Sequence, residues 1–329
     1  VSGKSIVWRV LAGLAVVLVT AWGGLALYYQ LPGGRWGKGL ATVLWVASAL
    51  AALYALFARP HWGRRAGWLY ALLVLVLLGW WHSLQPSNDR VWADDVARML
   101  GGSHAGSVVR LENVRNFQWR TDDDYTVRWE NRSYDLDELE SVDMVLSTWG
   151  MPAIAHTLVS FGFSDGQHVV FSVEIRKEKH EKFSEIGGFF KEFELSVVAA
   201  DERDIIYVRT AVRGEQVAIY PISMSRQAMR ELFLAYVDTA NGLREQPRFY
   251  HTVTANCTTL VYQMARAIVP GLPMDYRLLL SGYLPEYLYA HGGLDHSQSL
   301  EQIRQHADIT ARAARVGNTP EFSRAIRQP

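Results

Sequence analysis

The apolar positions of this chain fall into two regimes. Residues 10–29, 40–58 and 66–84 are apolar runs without an internal Asp, Glu, Lys or Arg. Each is close to the roughly 20 residues that cross a bilayer core, so three transmembrane helices are predicted there. Beyond Gln85 the runs shorten. Alternation at period two predicts strands over 107–119 and 125–134, around a Thr121–Asp124 turn, and over 156–163 and 168–176, joined by Ser164-Asp165-Gly166-Gln167. Further strands are predicted over 193–199, 205–212 and 216–222. Helical spacing predicts a connector over 91–100 lying near the membrane surface, a helix over 224–240 capped by Ser223 or Ser225, one from Asn256 stopped by Pro270-Gly271, and a polar helix over 297–315. The 101–106 stretch reads as a Gly/Ser/His loop. The fold class is therefore α+β. A membrane anchor is expected over 1–85, a connector with N-terminal strands over 86–150, a core over 151–296, and a C-terminal helix and tail over 297–329.

Charge divides the chain at the same place. Its 329 residues carry 33 Lys and Arg against 33 Asp and Glu, but no acid precedes Asp89, whereas Lys4, Arg9, Arg35, Lys38, Arg59, Arg64 and Arg65 all do. The acidic remainder argues against nucleic acid as a partner. Lys4 and Arg9 before the first span, with Arg59, Arg64 and Arg65 between the second and third, outweigh Arg35 and Lys38 in the other loop. The expected topology is a cytoplasmic N-terminus and, after three spans, an outer-side domain. Trp8, Trp36, Trp62, Trp68, Trp80 and Trp81 sit near span ends, as interfacial anchors do. Two spans follow the first, so a cleaved signal peptide is not expected. In a double-membrane bacterium the domain lies in the oxidising periplasm.

Candidate chemistry centres on Cys257, the one cysteine of the chain. Without a partner it forms no internal disulfide, and its place at the predicted start of a helix favours the thiolate, through the helix dipole and nearby N–H groups. A cysteine nucleophile needs a base, most often histidine. His251 is near in sequence, but proximity does not put it on the correct face. His156 opens a core strand, where an unpaired imidazole is costly. His168, Glu174 and Arg176 share one strand face. Either His168 or Glu174 is a candidate for orienting His156, with an ion pair of Glu174 to Arg176 or to the 201–204 cluster as its structural alternative. Asn256 and Thr258 are candidate capping, substrate or oxyanion groups, and the Cys257 amide is a candidate oxyanion donor. Neither Asp122-Asp123-Asp124 nor His291 with His296 has metal-ligand spacing, so no metal or cofactor is expected. Leu278, Leu279, Leu280, Tyr283, Leu284, Tyr287 and Leu288 form a core helix, line an apolar groove or touch the bilayer. Gly187-Gly188-Phe189-Phe190 reads as a packed turn or a lip.

Five segments carry a resemblance: Arg115-Asn116-Phe117, Ala155-His156-Thr157-Leu158-Val159-Ser160-Phe161, Ser172-Val173-Glu174-Ile175-Arg176-Lys177-Glu178, Asp201-Glu202-Arg203-Asp204 and Asn256-Cys257-Thr258-Thr259. In this order they resemble the Lnb N-terminal periplasmic domain family, over roughly residues 89–289. The plan is similar to permuted papain-like (NlpC-type) domains, including the lecithin retinol acyltransferase family, in which a strand histidine precedes an Asn-Cys pair at a helix start. In that family a second histidine follows the first by twelve positions, as His168 follows His156. The resemblance implies an antiparallel sheet with a nucleophile-bearing helix, Cys257 as nucleophile and His156 as general base. It further implies transfer of an acyl group from a phospholipid, through a thioester, to an amine acceptor such as a lipoprotein N-terminus. The bacterial inner membrane is the implied location, with the chain multi-pass and its catalytic domain periplasmic. Here the spans precede the domain, whereas the named member carries helices after it, so fold and nucleophile transfer more safely than acceptor. Two rivals use the same chain differently: a peptidase or amidase acting on envelope peptides or peptidoglycan, and a non-enzymatic envelope binding module.

Overall fold

In the computed structural model, which describes residues 3–328, the three apolar runs are helices α1 (Gly3–Gln30), α2 (Arg35–Ala58) and α3 (Pro60–Ser83). Within them Ile6–Gln30, Arg35–Ala58 and Trp62–Ser83 are long and apolar enough to cross a membrane. Large apolar side chains such as Leu18, Leu44 and Leu75 stay exposed, as lipid-facing positions require. The helices are joined by small residues and buried polar bonds. A Cβ at Gly23 would lie 2.7 Å from Trp45 and Leu77. Trp45 Nε1 donates to Thr20 O at 3.0 Å, and the Thr20 and Tyr70 hydroxyls meet at 2.7 Å. The chain divides into two compact units, and this helical unit also takes in Ser184–Glu192. Gly187–Phe189 is a 3-10 turn, as the packed-turn reading has it. Phe190 stacks on Tyr29 with ring centroids 5.7 Å apart, and Lys191 Nζ donates to Trp81 O at 2.8 Å.

The second unit comprises residues 87–183 and 193–329. Its strands are β1 (Gly101–Ala105), β2 (Val108–Arg115), β3 (Gln118–Trp119), β4 (Tyr125–Thr126), β5 (Trp129–Asp135), β6 (Leu139–Thr148), β7 (Ala155–Phe163), β8 (His168–Arg176), β9 (Glu194–Ala200) and β10 (Gln216–Pro221). Its helices are α4 (Glu202–Tyr207), α5 (Arg226–Glu245), α6 (Thr259–Ile268), α7 (Leu284–Ala290), α8 (Leu300–Ala307), α9 (Thr310–Val316) and α10 (Phe322–Ala325). The main sheet runs β1-β2-β9-β8-β7-β6-β10, with β5 on β2 and β3–β4 as a separate ribbon. All its pairings are antiparallel except β2 with β9. This is the α+β class that the hydrophobic pattern predicts.

Alternation along the strands buries both sheet faces. Val159, Phe161, Phe171 and Val197 pack with Phe233 and Tyr236 of α5 and with Leu260 and Met264 of α6. Leu158, Val170 and Val198 pack on the opposite face with Ile205, Ile206, Ala313 and Phe322. Full burial of each such side chain contributes about 1.5–3 kcal/mol.

Four local expectations differ from the structure. Residues 91–100 form only a 3-10 turn, Asp94–Val96, because arginines take the carbonyls a helix would use. Arg176 donates to Val96 O and Ala97 O, both at 3.0 Å, and Arg115 to Asp95 O at 3.0 Å. Residues 101–105 of the expected loop are the edge strand β1, where Val237 and the Arg110 carbonyl crowd any Cβ at Gly102. Residues 205–212 are not a strand. Asp201 caps α4 by accepting from Arg203 N at 3.1 Å, and a π turn, Val208–Val212, continues it; the capped first turn overrides the β-branched run. The 297–315 helix breaks at Asp308-Ile309, where Ile309 N turns away to Val217 O at 3.0 Å. β6, which alternation did not single out, pairs along β7 across residues 149–154. Position 150/151 is therefore a hairpin within one sheet.

Candidate active site

Antiparallel register builds the site. The β7–β8 ladder stops at Leu158–Ser172, although the strands run on to Ala155 and Arg176. In the resulting fork His156 and Glu174 face each other, and Thr157 N–H turns to the Cys257 sulfur. The cysteine arrives there by a separate route. Residues 248–250 are tied along β9 by Leu195 N to Arg248 O (2.7 Å) and Tyr250 N to Phe193 O (2.9 Å). His251 and Ala255 then close a turn on each other, with His251 Nδ1 accepting from Val253 N and Thr254 N at 3.3 Å. His251 thus shapes the loop before the cysteine.

The regular helix α6 begins at Thr259, but helical bonding starts at Asn256, whose carbonyl accepts from Leu260 N at 3.1 Å. The Asn256 Oδ1 accepts from Thr258 N (2.9 Å) and Thr259 N (2.8 Å), while its Nδ2 donates to Thr252 O (2.6 Å). Asn256 is therefore the physical N-cap and Cys257 the first helical residue. Its Oδ1 is thus spent on capping, while one of the two Nδ2 donors is held by Thr252 O. Thr258 is buried, with its hydroxyl 3.3 Å from that of Thr157 and 3.9 Å from the Cys257 sulfur. The Cys257 N–H takes no part in these bonds.

His156 Nε2 lies 2.8 Å from Ser172 Oγ and 3.1 Å from Glu174 Oε1, so Nδ1 is the ring nitrogen these two do not hold. Ser172 Oγ also donates to Glu174 Oε1 at 2.7 Å. Behind Glu174, Arg209 Nη2 donates to the same oxygen at 3.1 Å and Nη1 to Glu215 Oε2 at 3.4 Å, and Ser147 Oγ donates to Glu215. Charges of alternating sign thus run from Cys257 through His156, Glu174 and Arg209 to Glu215. His156 and Glu174 keep only 11% and 19% of their side-chain surface, so the line is shielded yet open at one end.

The electrostatics follow. Burial disfavours the imidazolium, but the Glu174 carboxylate and the Cys257 sulfur outweigh it and push the His156 pKa up to about 9. Burial likewise raises Cys257, but the His156 charge, the Thr157 N–H and the Thr258 hydroxyl bring the thiol below its ordinary value. Glu174 is buried too, yet His156 and Arg209 hold it well below the usual carboxylate range. The arrangement favours the thiolate and the imidazolium next to a carboxylate held by Arg209, the charge pattern that nucleophilic catalysis followed by proton return uses.

Of the two candidates for orienting His156, the structure brings Glu174 to the ring and leaves His168 away from it. His168 has the predicted face, but register pairs it with Gly162 at the hairpin end, about 20 Å along the strand from Glu174. Its Nδ1 bonds Gly166 O at 3.1 Å. Arg176 does not pair with Glu174. It stacks on Trp92, 4.3 Å from the ring centroid, and donates to Asn88 Oδ1 at 2.9 Å. Sequence reasoning missed Arg209 because 205–212 read as a strand, Ser147 because alternation did not single out its strand, and Glu215 because it lies in the turn that follows Arg209. It also missed Tyr236, whose buried hydroxyl has no partner among the described residues and is raised in pKa by burial and by Cys257. Among the described residues no cluster of His, Cys, Asp or Glu is arranged to hold a metal ion. The Asp122–Asp124 turn is occupied by Arg213 and Arg120.

No curated protein and no solved structure matches the chain significantly. The family model described as Lnb N-terminal periplasmic domain matches residues 125–282, a span that holds His156, Ser172, Glu174, Arg209 and Cys257. Together with three helices long enough to cross a membrane, this is a membrane-associated protein whose residues 125–282 belong to the Lnb N-terminal periplasmic domain family.

Proposed function

We propose that the protein is a multi-pass enzyme of the bacterial inner membrane, with a cytoplasmic N-terminus and a permuted papain-like domain in the periplasm. It moves a fatty acyl group from a phospholipid through a Cys257 thioester to an amine, a lipoprotein N-terminus being the acceptor that the family resemblance favours. The observation that carries this reading is the shielded line of Cys257, His156 and Glu174 at the head of a helix.

Each step follows from that line. The Cys257 thiolate attacks the ester carbonyl carbon, and the oxyanion forms within reach of the Cys257 N–H. When the C–O bond breaks, the imidazolium of His156 gives its proton to the leaving lysophospholipid alkoxide. Glu174 and Ser172 hold the ring through Nε2, so the reactive nitrogen stays aimed at the sulfur. In the second half the acceptor nitrogen attacks the thioester and His156 takes its proton. The C–S bond then breaks, which restores the thiolate and the imidazolium. The cycle needs no cofactor.

The test is intact-mass measurement of purified protein after incubation with phospholipid. Wild type is expected to gain a hydroxylamine-labile fatty acyl mass, and Cys257→Ala and His156→Ala to gain none. Cleavage of a peptide or muropeptide without such an adduct would replace this reading with a peptidase or amidase.

A further inference from the structure

A cavity of about 280 Å³ lies between the β6–β7 face and helices α6 and α7, near the lower end of the sizes that ligand sites occupy. Its position relative to the nucleophile is specific. Thr157, whose N–H bonds the Cys257 sulfur, and Thr258, whose hydroxyl is 3.9 Å from it, are both in the wall. From there Thr258, Val261, Tyr262, Ala265 and Val269 continue the wall along one stripe of α6. At 1.5 Å per residue that stripe is about 16 Å long. This is close to half of a roughly 30 Å bilayer core, the depth that one leaflet's acyl chains fill.

The wall also defines the chemistry of its occupant. No Asp, Glu, Lys or Arg lines the cavity among the described residues. The tyrosine hydroxyls in it are already used inside the protein, Tyr262 donating to Leu272 O at 2.9 Å and Tyr287 to Pro273 O at 2.8 Å. The Thr157 and Thr258 hydroxyls bond each other. Ser223 and His291 are the other polar side chains in a wall otherwise made of aliphatic and aromatic groups, so the regularly spaced amides of a peptide would outnumber the partners available to them. A hydrocarbon chain has nothing to satisfy.

We propose that this cavity holds the single hydrocarbon chain of the acyl group carried on Cys257, and that Val261 and Ala265 set how long a chain it accepts. The proposal rests on the acyl-transfer reading and adds to it the place and size limit of the acyl chain.

Chain-length selectivity tests it. Full-length protein in detergent is incubated with p-nitrophenyl esters from butyrate to palmitate, and the acyl-enzyme is read by intact mass and release rate. Wild type is expected to favour long chains. Ala265→Phe, which fills the far half, shifts the optimum to medium chains. Val261→Phe, one turn nearer the sulfur, shifts it to short ones. Each variant keeps butyrate acylation within about threefold while palmitate falls about tenfold or more, because the added ring takes the space that only the longer chain needs. Iodoacetamide alkylation of the lone thiol, unchanged in pH dependence, shows that the variants are folded around an intact pair. An unchanged length profile, or an equal fall at every length, overturns the cavity assignment and leaves acyl transfer standing. No adduct on wild type from any ester overturns both.

Discussion

Cys257 is the only thiol in the chain, so its alkylation rate against pH reports one site. The Cys257 thiol is lowered from its ordinary value, by the His156 charge against the cost of burial, and His156 is raised to about 9. The ion pair therefore exists above the first and below the second, and transfer, which needs the imidazolium as acid, is expected to fall as pH rises through about 9. His156→Ala should move the alkylation midpoint of Cys257 up toward that of a free thiol. A midpoint that does not move would sink the pair. Arg209 acts one step further away, by holding the carboxylate that holds the ring. Arg209→Gln removes a positive charge that holds the His156 pKa down, so the upper limb of the pH–rate profile is expected to move to higher pH, while the less firmly held carboxylate reduces kcat with little change in KM; Arg209→Lys is expected to restore part of both. If Gln and Lys variants share the wild-type profile, Arg209 is only structural. Cys257, His156 and Glu174 were legible in sequence because helix-start placement, strand periodicity and motif resemblance all act locally. Arg209 was not, since its partner is 35 residues away and its own segment read as the wrong element.

The element that matters most is the start of α6. Asn256 satisfies two backbone donors with one oxygen, so Asn256→Ala is expected to cost about 1 kcal/mol and to loosen the geometry of the thiol. Asn256→Asp keeps an acceptor and should retain most of that stability. Thermal unfolding of the two variants checks the order. A second element, α10, is pinned by Arg327 just beyond its end. Its guanidinium lies 2.6 Å from Glu202 and 2.7 Å from Asp143. Arg327→Ala leaves two buried carboxylates facing each other unpaired, and a loss on the order of 3 kcal/mol is expected in denaturant titration. The C-terminal helices were legible as polar helix, but not this clasp. A helix end shows its charge in sequence, whereas the buried acids that receive it lie 125 and 184 residues away.

For the whole molecule, the proposed topology puts Cys257 outside the inner membrane. A membrane-impermeant maleimide should then label wild type in spheroplasts and leave Cys257→Ala unlabelled. Labelling only after the membrane is permeabilised would reverse the orientation and remove the periplasmic reading. The sequence by itself determined the three spans, the α+β class and the 156–163/168–176 hairpin, and it singled out Cys257 and His156 as the pair proposed for nucleophile and base. Each rests on run length, period or a short motif, which a chain carries whether or not it is folded. Only the tertiary structure decided that Glu174 and not His168 meets the ring, because the β7–β8 register sets His168 against Gly162 and leaves Glu174 beside His156. It alone decided that the β7–β8 ladder opens to admit the helix start, and that Arg209 stands behind the carboxylate. The cavity along α6 belongs with these, since its walls come from segments more than a hundred residues apart, Val142 to Gly293, and exist only once those segments pack.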